Sequence, residues 1–265
     1  MLGALDIGNS RIKAALYDDD LLVARRVVPT LEWETATDVE RFLRSFLDRS
    51  VTRGARVSLG VACVVPSAEK LLTEALLAVP RLIRLPAVFV GAQCRLNLTI
   101  GVRHPERLGG DRIADAVAAV ELFGSPVIAV GCGTAATVTV VDGKRTLLGG
   151  AIAPGPRIAA QALASNTGRL PLVQTELDAD ASLPPPIGRD TEQAIQAGLV
   201  HGLLGTLWVL ISKARAELGA NAPVAVTGGY GEFVARMLGD TCTYREDLTL
   251  EGIRTVVKLN SEGAY

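Results

Sequence analysis

The residues best suited to chemistry in this chain are Asp111 and Arg112, which directly follow Gly109 and Gly110. A carboxylate there fits a general base that takes the proton of a substrate hydroxyl. The guanidinium beside it fits a bidentate hold on a substrate carboxylate or phosphate. A helix that begins at this point keeps the carboxylate ionised and fixed, because a helix N-terminus carries partial positive charge. The same Asp111 also fits a plain N-cap. Two glycine turns, Asp6-Ile7-Gly8-Asn9-Ser10 and Gly131-Cys132-Gly133-Thr134-Ala135, offer backbone N–H groups at close range, as a phosphate chain requires. Asn9, Ser10, Thr134 and Thr137 add side-chain hydrogen bonds. Asp6 suits Mg²⁺, directly or through water, because Mg²⁺ takes oxygen ligands and keeps several waters. Each turn alone also fits an ordinary hairpin; their recurrence in one strand context favours phosphate. Together these residues point to phosphoryl transfer, in which positioning and charge neutralisation matter more than a strong base. The second turn carries Gly131 where the first carries Asp6.

The elements that must position these groups follow from periodicity. Residues 2–7 form an apolar strand, residues 12–16 alternate, and residues 21–28 form a third strand after an acidic turn, Asp18-Asp19-Asp20. Residues 38–47 show helical spacing of Val39, Phe42, Leu43 and Phe46, with Asp38 as the expected N-cap. A strand over 57–65, a helix over 69–79 capped by Ser67, and a short strand over 87–90 follow. Residues 111–123 read as a helix. The first pattern then repeats: a strand over 127–130, the second glycine turn, a strand over 137–141, the hairpin signal Asp142-Gly143 and a return through Leu147-Leu148-Gly149-Gly150. A helix over 158–165, an irregular Pro-rich stretch over 170–189 and a long helix over 191–218, with possible bends at Gly198, Gly202 and Gly205, come next. A strand over 224–227, Gly228-Gly229 and a helix over 231–238 complete the reading. The expected architecture is α/β with two related lobes. Residues 1–125 hold the first phosphate loop and the substrate loop. Residues 126–265 hold the second phosphate loop and Thr227-Gly228-Gly229, a turn suited to lying against adenine.

Composition narrows the function classes. The chain has 265 residues and is 49% hydrophobic but only 4% aromatic, so its core is built from Ala, Val, Leu and Ile. A net charge of −1 without a basic cluster gives no electrostatic case for nucleic acid. The N-terminus lacks a basic n-region, and no uninterrupted apolar run of about 18 residues occurs, so neither a signal peptide nor a membrane span is expected. Cys63, Cys94, Cys132 and Cys242 are scattered without a CxxC pair, which speaks against structural zinc and a disulfide framework. The expected setting is cytoplasmic. His104 and His201 read as surface or helix residues.

The ordered set Asp6-Ile7-Gly8-Asn9-Ser10, Val64-Val65-Pro66, Gly109-Gly110-Asp111-Arg112, Gly133-Thr134-Ala135, residues 149–155 (GGAIAPG), Leu170-Pro171, residues 187–191 (IGRDT), Thr227-Gly228-Gly229 and residues 247–252 (DLTLEG) resembles type III pantothenate kinase over essentially the whole chain. The Gly-Gly-Asp-Arg and Gly-Gly-Ala-Ile-x-Pro-Gly elements are the more specific ones; the turns are shared across actin-like kinases. The resemblance implies an actin-like (ribonuclease H-like) duplicated two-lobe fold, with mixed sheets flanked by helices. It implies ATP-dependent phosphorylation of pantothenate, the first step towards coenzyme A, by a homodimer that uses Mg²⁺ and a monovalent cation such as K⁺ or NH₄⁺. It implies Asp111 as proton acceptor. It places pantothenate on Gly109, Gly110, Asp111 and Arg112, with Thr191 as a further contact. It places ATP on Asp6, Gly8, Asn9, Ser10 and Lys13 of the first loop and Gly133 and Thr134 of the second. Two positions depart from the family: Gly131 stands where it has a cation-binding Asp, and Val102 where it often has Tyr. A binding or regulatory protein of the same fold, and an actin-like phosphotransferase for another small alcohol, are the alternatives.

Overall fold

The computed structural model describes residues 1–47, 57–80, 82–175, 177–239 and 241–261. Its contacts fall into two units. The first comprises residues 1–97, 103–118 and 249–265, and the second residues 98–102 and 119–248.

The first unit is built on a five-stranded sheet. β1 (Leu2–Ile7), β2 (Arg11–Asp18) and β3 (Leu21–Pro29) form the expected antiparallel meander, and β4 (Val57–Cys63) and β5 (Ile83–Phe89) add in parallel, in the order β3-β2-β1-β4-β5. Leu5, Ile7, Ile12 and Leu16 are sealed against Leu43 and Leu47 of α1 (Ala36–Leu47) and Leu72 of α2 (Pro66–Ala78). Two helix starts differ from the sequence reading. At α1 the reciprocal bonds Asp38 N–H to Thr35 Oγ1 (3.3 Å) and Thr35 N–H to Asp38 Oδ2 (3.0 Å) make Thr35 the cap and Asp38 its third-position partner. At α2 Pro66 takes the first helical position, where its missing N–H costs nothing, and no side chain caps the helix. β5 is longer than expected, and Pro86 is tolerated because β5 is an edge strand.

The second unit repeats the plan. β7 (Val127–Cys132), β8 (Ala135–Val141) and β9 (Thr146–Pro154) form an antiparallel meander. β10 (Val224–Thr227) pairs in parallel with β7, and β11 (Cys242–Tyr244) with β10. The order β9-β8-β7-β10-β11 reproduces β3-β2-β1-β4-β5, and the two-residue β6 (Thr99–Ile100) is added beside β9. The duplication expected from the sequence is therefore visible strand by strand. Ile128, Val130, Val224, Val226 and Phe233 form the core with Leu203, Leu207 and Ile211 of α5 (Thr191–Leu218). α4 (Pro156–Asn166) and α6 (Gly231–Leu238) fall where expected, and α5 is one uninterrupted helix through its three glycines.

The sequence reading places one break near Ser125-Pro126; the contacts divide instead within α3 (Gly110–Phe123), at residues 118/119. They also return α7 (Leu248–Ser261), an element absent from that reading, to the first unit. The reason is close packing at two glycines. A Cβ on Gly60 of β4 would strike Val257 of α7, and one on Gly252 of α7 would strike the Ala114 carbonyl of α3.

Candidate active site

In the first unit, β1 ends at Ile7 and the chain turns through residues 8–10. Gly8 N–H bonds to Arg11 O (3.1 Å), Thr30 N–H to Ser10 O (3.1 Å), and Thr30 Oγ1 donates to Gly8 O (2.7 Å). These bonds lock the turn and leave Asn9 exposed at its tip. Asp6 and Lys13 face each other in register across β1 and β2. Burial pushes the Asp6 carboxyl up to about 6, with Lys13 opposing the rise and Asp111 adding to it.

Asp111 lies in the first turn of α3, which begins one residue earlier than expected. Its Oδ1 accepts the N–H of Arg112 (2.8 Å), so the carboxylate is held by the adjoining backbone. The two preceding glycines differ in what they accommodate, and only Gly110 lies against backbone. A Cβ on Gly109 would collide with Asp111 Oδ1, and one on Gly110 would come within 2.7 Å of Val90 O. A pocket of about 260 Å³ opens beside them, lined by Val61, Cys63, Phe89, Gln93, Leu108 and Gly109 among others. That is at the small end of ligand pockets, roughly 300–1,000 Å³. Burial lowers the pKa of the half-buried Arg112, while Asp111 and Asp115 favour its charged form.

Asp115 is the residue that sequence reasoning missed. It sits one turn after Asp111, is 6% exposed, and accepts a 2.7 Å bond from the equally buried Thr249 hydroxyl at the start of α7. Burial pushes its carboxyl up to about 7; Thr249 opposes this, Asp111 and Asp6 add to it, and Lys13 opposes it. Asp6, Lys13, Asp111 and Asp115 thus all lie in the first unit. An acid inside the apolar run 113–120 was the available signal.

The second unit carries the second loop. Gly133 N–H bonds to Ala135 O (3.1 Å) and Gly155 N–H to Thr134 O (3.2 Å), the counterparts of the Gly8 and Thr30 bonds. Gly131 is the penultimate residue of β7, as Asp6 is of β1, and its neighbours in register are Thr137 and Thr227. No carboxylate stands at this position. Gly228 adopts φ +100° against the Cys132 carbonyl, where a side chain would not fit. Thr191 is exposed at the first position of α5, after Asp190 caps the helix by accepting the Gln193 N–H at 2.8 Å. Among the described residues no group of three or more His, Cys, Asp or Glu could hold a metal ion. His104 is exposed beside Glu106, and His201 bonds to Pro184 O at 2.9 Å, which leaves both outside the site.

A sequence profile described as type III pantothenate kinase matches residues 2–213. The chain belongs to the type III pantothenate kinase family. A type III pantothenate kinase from Agathobacter rectalis is 34% identical over 266 residues, 99% of both chains. One from Thermomicrobium roseum is 36% identical over 263 residues, 96% of both chains. A Baf-family protein from Campylobacter jejuni, 20% identical, has the same fold with a TM-score of 0.59 over 98% of this chain and 100% of its own. With the repeated strand order, these likenesses establish the actin-like duplicated fold.

Proposed function

We propose that this chain transfers the terminal phosphoryl group of ATP to the hydroxyl of pantothenate, the first step towards coenzyme A. The observation that carries this reading is that one unit holds both Asp111, preceded by two glycines at a helix start, and Asp6 facing Lys13 beside the first glycine turn. Gly110 lets the helix start pack against Val90, Gly109 makes way for the Asp111 carboxylate, and Arg112 neutralises the carboxylate of the substrate. The Asp111 carboxylate accepts the hydroxyl proton as the oxygen attacks. Gly8, Asn9, Ser10 and Lys13 hold the phosphates from the first turn, Gly133 and Thr134 from the second, and Thr191 adds a substrate contact.

Asp6 fits Mg²⁺. Its carboxyl is held near 6 by burial, so a nearby divalent cation restores the ionised form, and one carboxylate with phosphate oxygens and waters is a sufficient ligand set. When bound, Mg²⁺ would neutralise phosphate charge. A monovalent cation at the second turn does not fit as well, because Gly131 supplies no charge to offset dehydration of the ion. Turnover is therefore expected to depend little on K⁺ or NH₄⁺, and Gly131→Asp to create or strengthen that dependence. Strong K⁺ activation of the unmodified chain, equal to that of the variant, would place the cation ligand elsewhere. The same coupled assay tests the whole reading: ADP release must require pantothenate. Release without it, or none at all, would favour another alcohol or a non-catalytic binding protein.

The reading includes a cytoplasmic homodimer. The four cysteines are free thiols, as a reducing compartment maintains them. α5 is long and apolar enough in composition to cross a membrane, but its inner face lies in the core of the second unit. Its outer face shows Trp208 at 62% and Val209 at 46% exposure, a surface suited to a second copy rather than to water. Light scattering at micromolar concentration should give twice the 27.8 kDa chain mass, and Trp208→Glu should shift it to the monomer. A wild-type monomer would remove the dimer and any site shared across it.

A further inference from the structure

The two glycine turns are closed by matching backbone bonds, and in the first a side chain adds to the closure. In the first unit, the residue after the third meander strand is Thr30, whose hydroxyl donates to Gly8 O at 2.7 Å. In the second unit the matching residue is Gly155, whose N–H makes the matching backbone bond to Thr134 O but which has no hydroxyl to offer. A Cβ on Gly155 would lie 2.6 Å from both Gly133 O and Thr134 O, so no side chain fits there. The third atom around that space is the phenolic oxygen of Tyr230, 3.0 Å from the same point. This oxygen is withdrawn from solvent and has no hydrogen-bond partner. Tyr230 is also tied to the turn through its backbone: it precedes α6, and its N–H points at Cys132 O at 3.5 Å.

We infer that Tyr230 is a positioning residue of the second phosphate loop, whose hydroxyl bonds the Gly133 carbonyl when nucleotide is seated, a latch comparable to that of Thr30 on the first loop. This inference rests on the reading of residues 131–135 as a phosphate loop. A buried O–H without an acceptor is costly, and the Gly133 and Thr134 carbonyls lie around the same point as this phenol. A small rotation of the Gly133–Thr134 peptide, driven by phosphate drawing the loop N–H groups outward, turns the carbonyl towards the phenol. The bond then stabilises the nucleotide-bound arrangement alone, and its free energy appears as ATP affinity rather than as folding stability.

The test is Tyr230→Phe, which removes one oxygen and keeps the ring. In the ligand-free chain the variant should melt at the wild-type temperature or above it, because it relieves an unsatisfied polar atom. Calorimetry should show Mg–ATP binding weakened by about tenfold, the order of one hydrogen bond in a charged site. KM for ATP should rise accordingly, with KM for pantothenate unchanged. A residue that merely supports the fold would give the opposite pattern: a lower ligand-free Tm with ATP affinity retained. That pattern, or equal ATP affinity in variant and parent, overturns the role of Tyr230. Failure of the wild-type chain to bind Mg–ATP would overturn the phosphate-loop reading itself.

Discussion

Asp111→Asn is expected to lower kcat by about 10²-fold or more while leaving KM for pantothenate and the melting temperature close to wild type. A positioned general base is worth roughly 10²–10⁴ in rate, and an asparagine cannot accept the proton. The rest of the site should survive. The amide oxygen of Asn can still accept the Arg112 N–H that Asp111 now accepts at 2.8 Å, so the helix start is preserved. Asn has the shape of Asp, so the crowding against Gly109 is unchanged. A loss confined to kcat is the signature of an interaction made only in the transition state. Asp6→Asn is the comparison that gives this result its meaning, because Asp6 lies on the phosphate turn and its loss acts through Mg–ATP. If Asp111→Asn keeps near-wild-type turnover while Asp6→Asn abolishes it, the base is not Asp111.

The duplicated core was legible because each half announces itself by short-range pattern. The apolar run 2–7, the alternation over 12–16 and the glycine turn between them recur over 127–141, and the structure pairs both in the same register sense. Asp111 was legible because two glycines before an acid mark a backbone that something must approach. What escaped depends on contacts remote in sequence. β6 and β11 have two and three residues, too few for any period to show, and each exists through its partner, β9 or β10. The helical spacing of Leu250, Ile253 and Val257 was readable, but its destination against Gly60 was not. Asp38 has the pattern of a cap because the first apolar-periodic residue follows it; Thr35, three residues earlier, completes a reciprocal pair that sets the true start. Tyr230 gains its meaning only from Gly155, 75 residues away in the chain. Asp115 stands inside the apolar run 113–120, but its partner, Thr249, lies 134 residues away, and that contact gives the buried acid its place.

That buried acid gives the second large effect. The Asp115 carboxyl is raised to about 7 by burial in the folded chain, against an ordinary value of 3.8. Between those two values the folded state keeps a proton that the unfolded state has released. Stability is therefore unaffected by this group below about pH 4, falls as pH rises towards 7, and levels off above it. Asp115→Asn removes the titration while keeping an oxygen that can accept the Thr249 hydroxyl. Relative to wild type, the variant should gain stability as pH rises from 5 to 8, by about 2–3 kcal/mol. Denaturant melts of the ligand-free chains at both pH values measure the difference directly, and taking the variant against its parent cancels the other carboxyls to first order. Asp6, raised to about 6, contributes a smaller fall of the same sign in both proteins. A stability difference equal at pH 5 and pH 8 would mean that Asp115 ionises normally. A variant less stable than wild type at pH 8 would mean that the ionised carboxylate is held by stronger partners than Thr249. The natural chain keeps an acid where an amide is predicted to be more stable, beside the proposed base and within reach of the charges on the first phosphate turn.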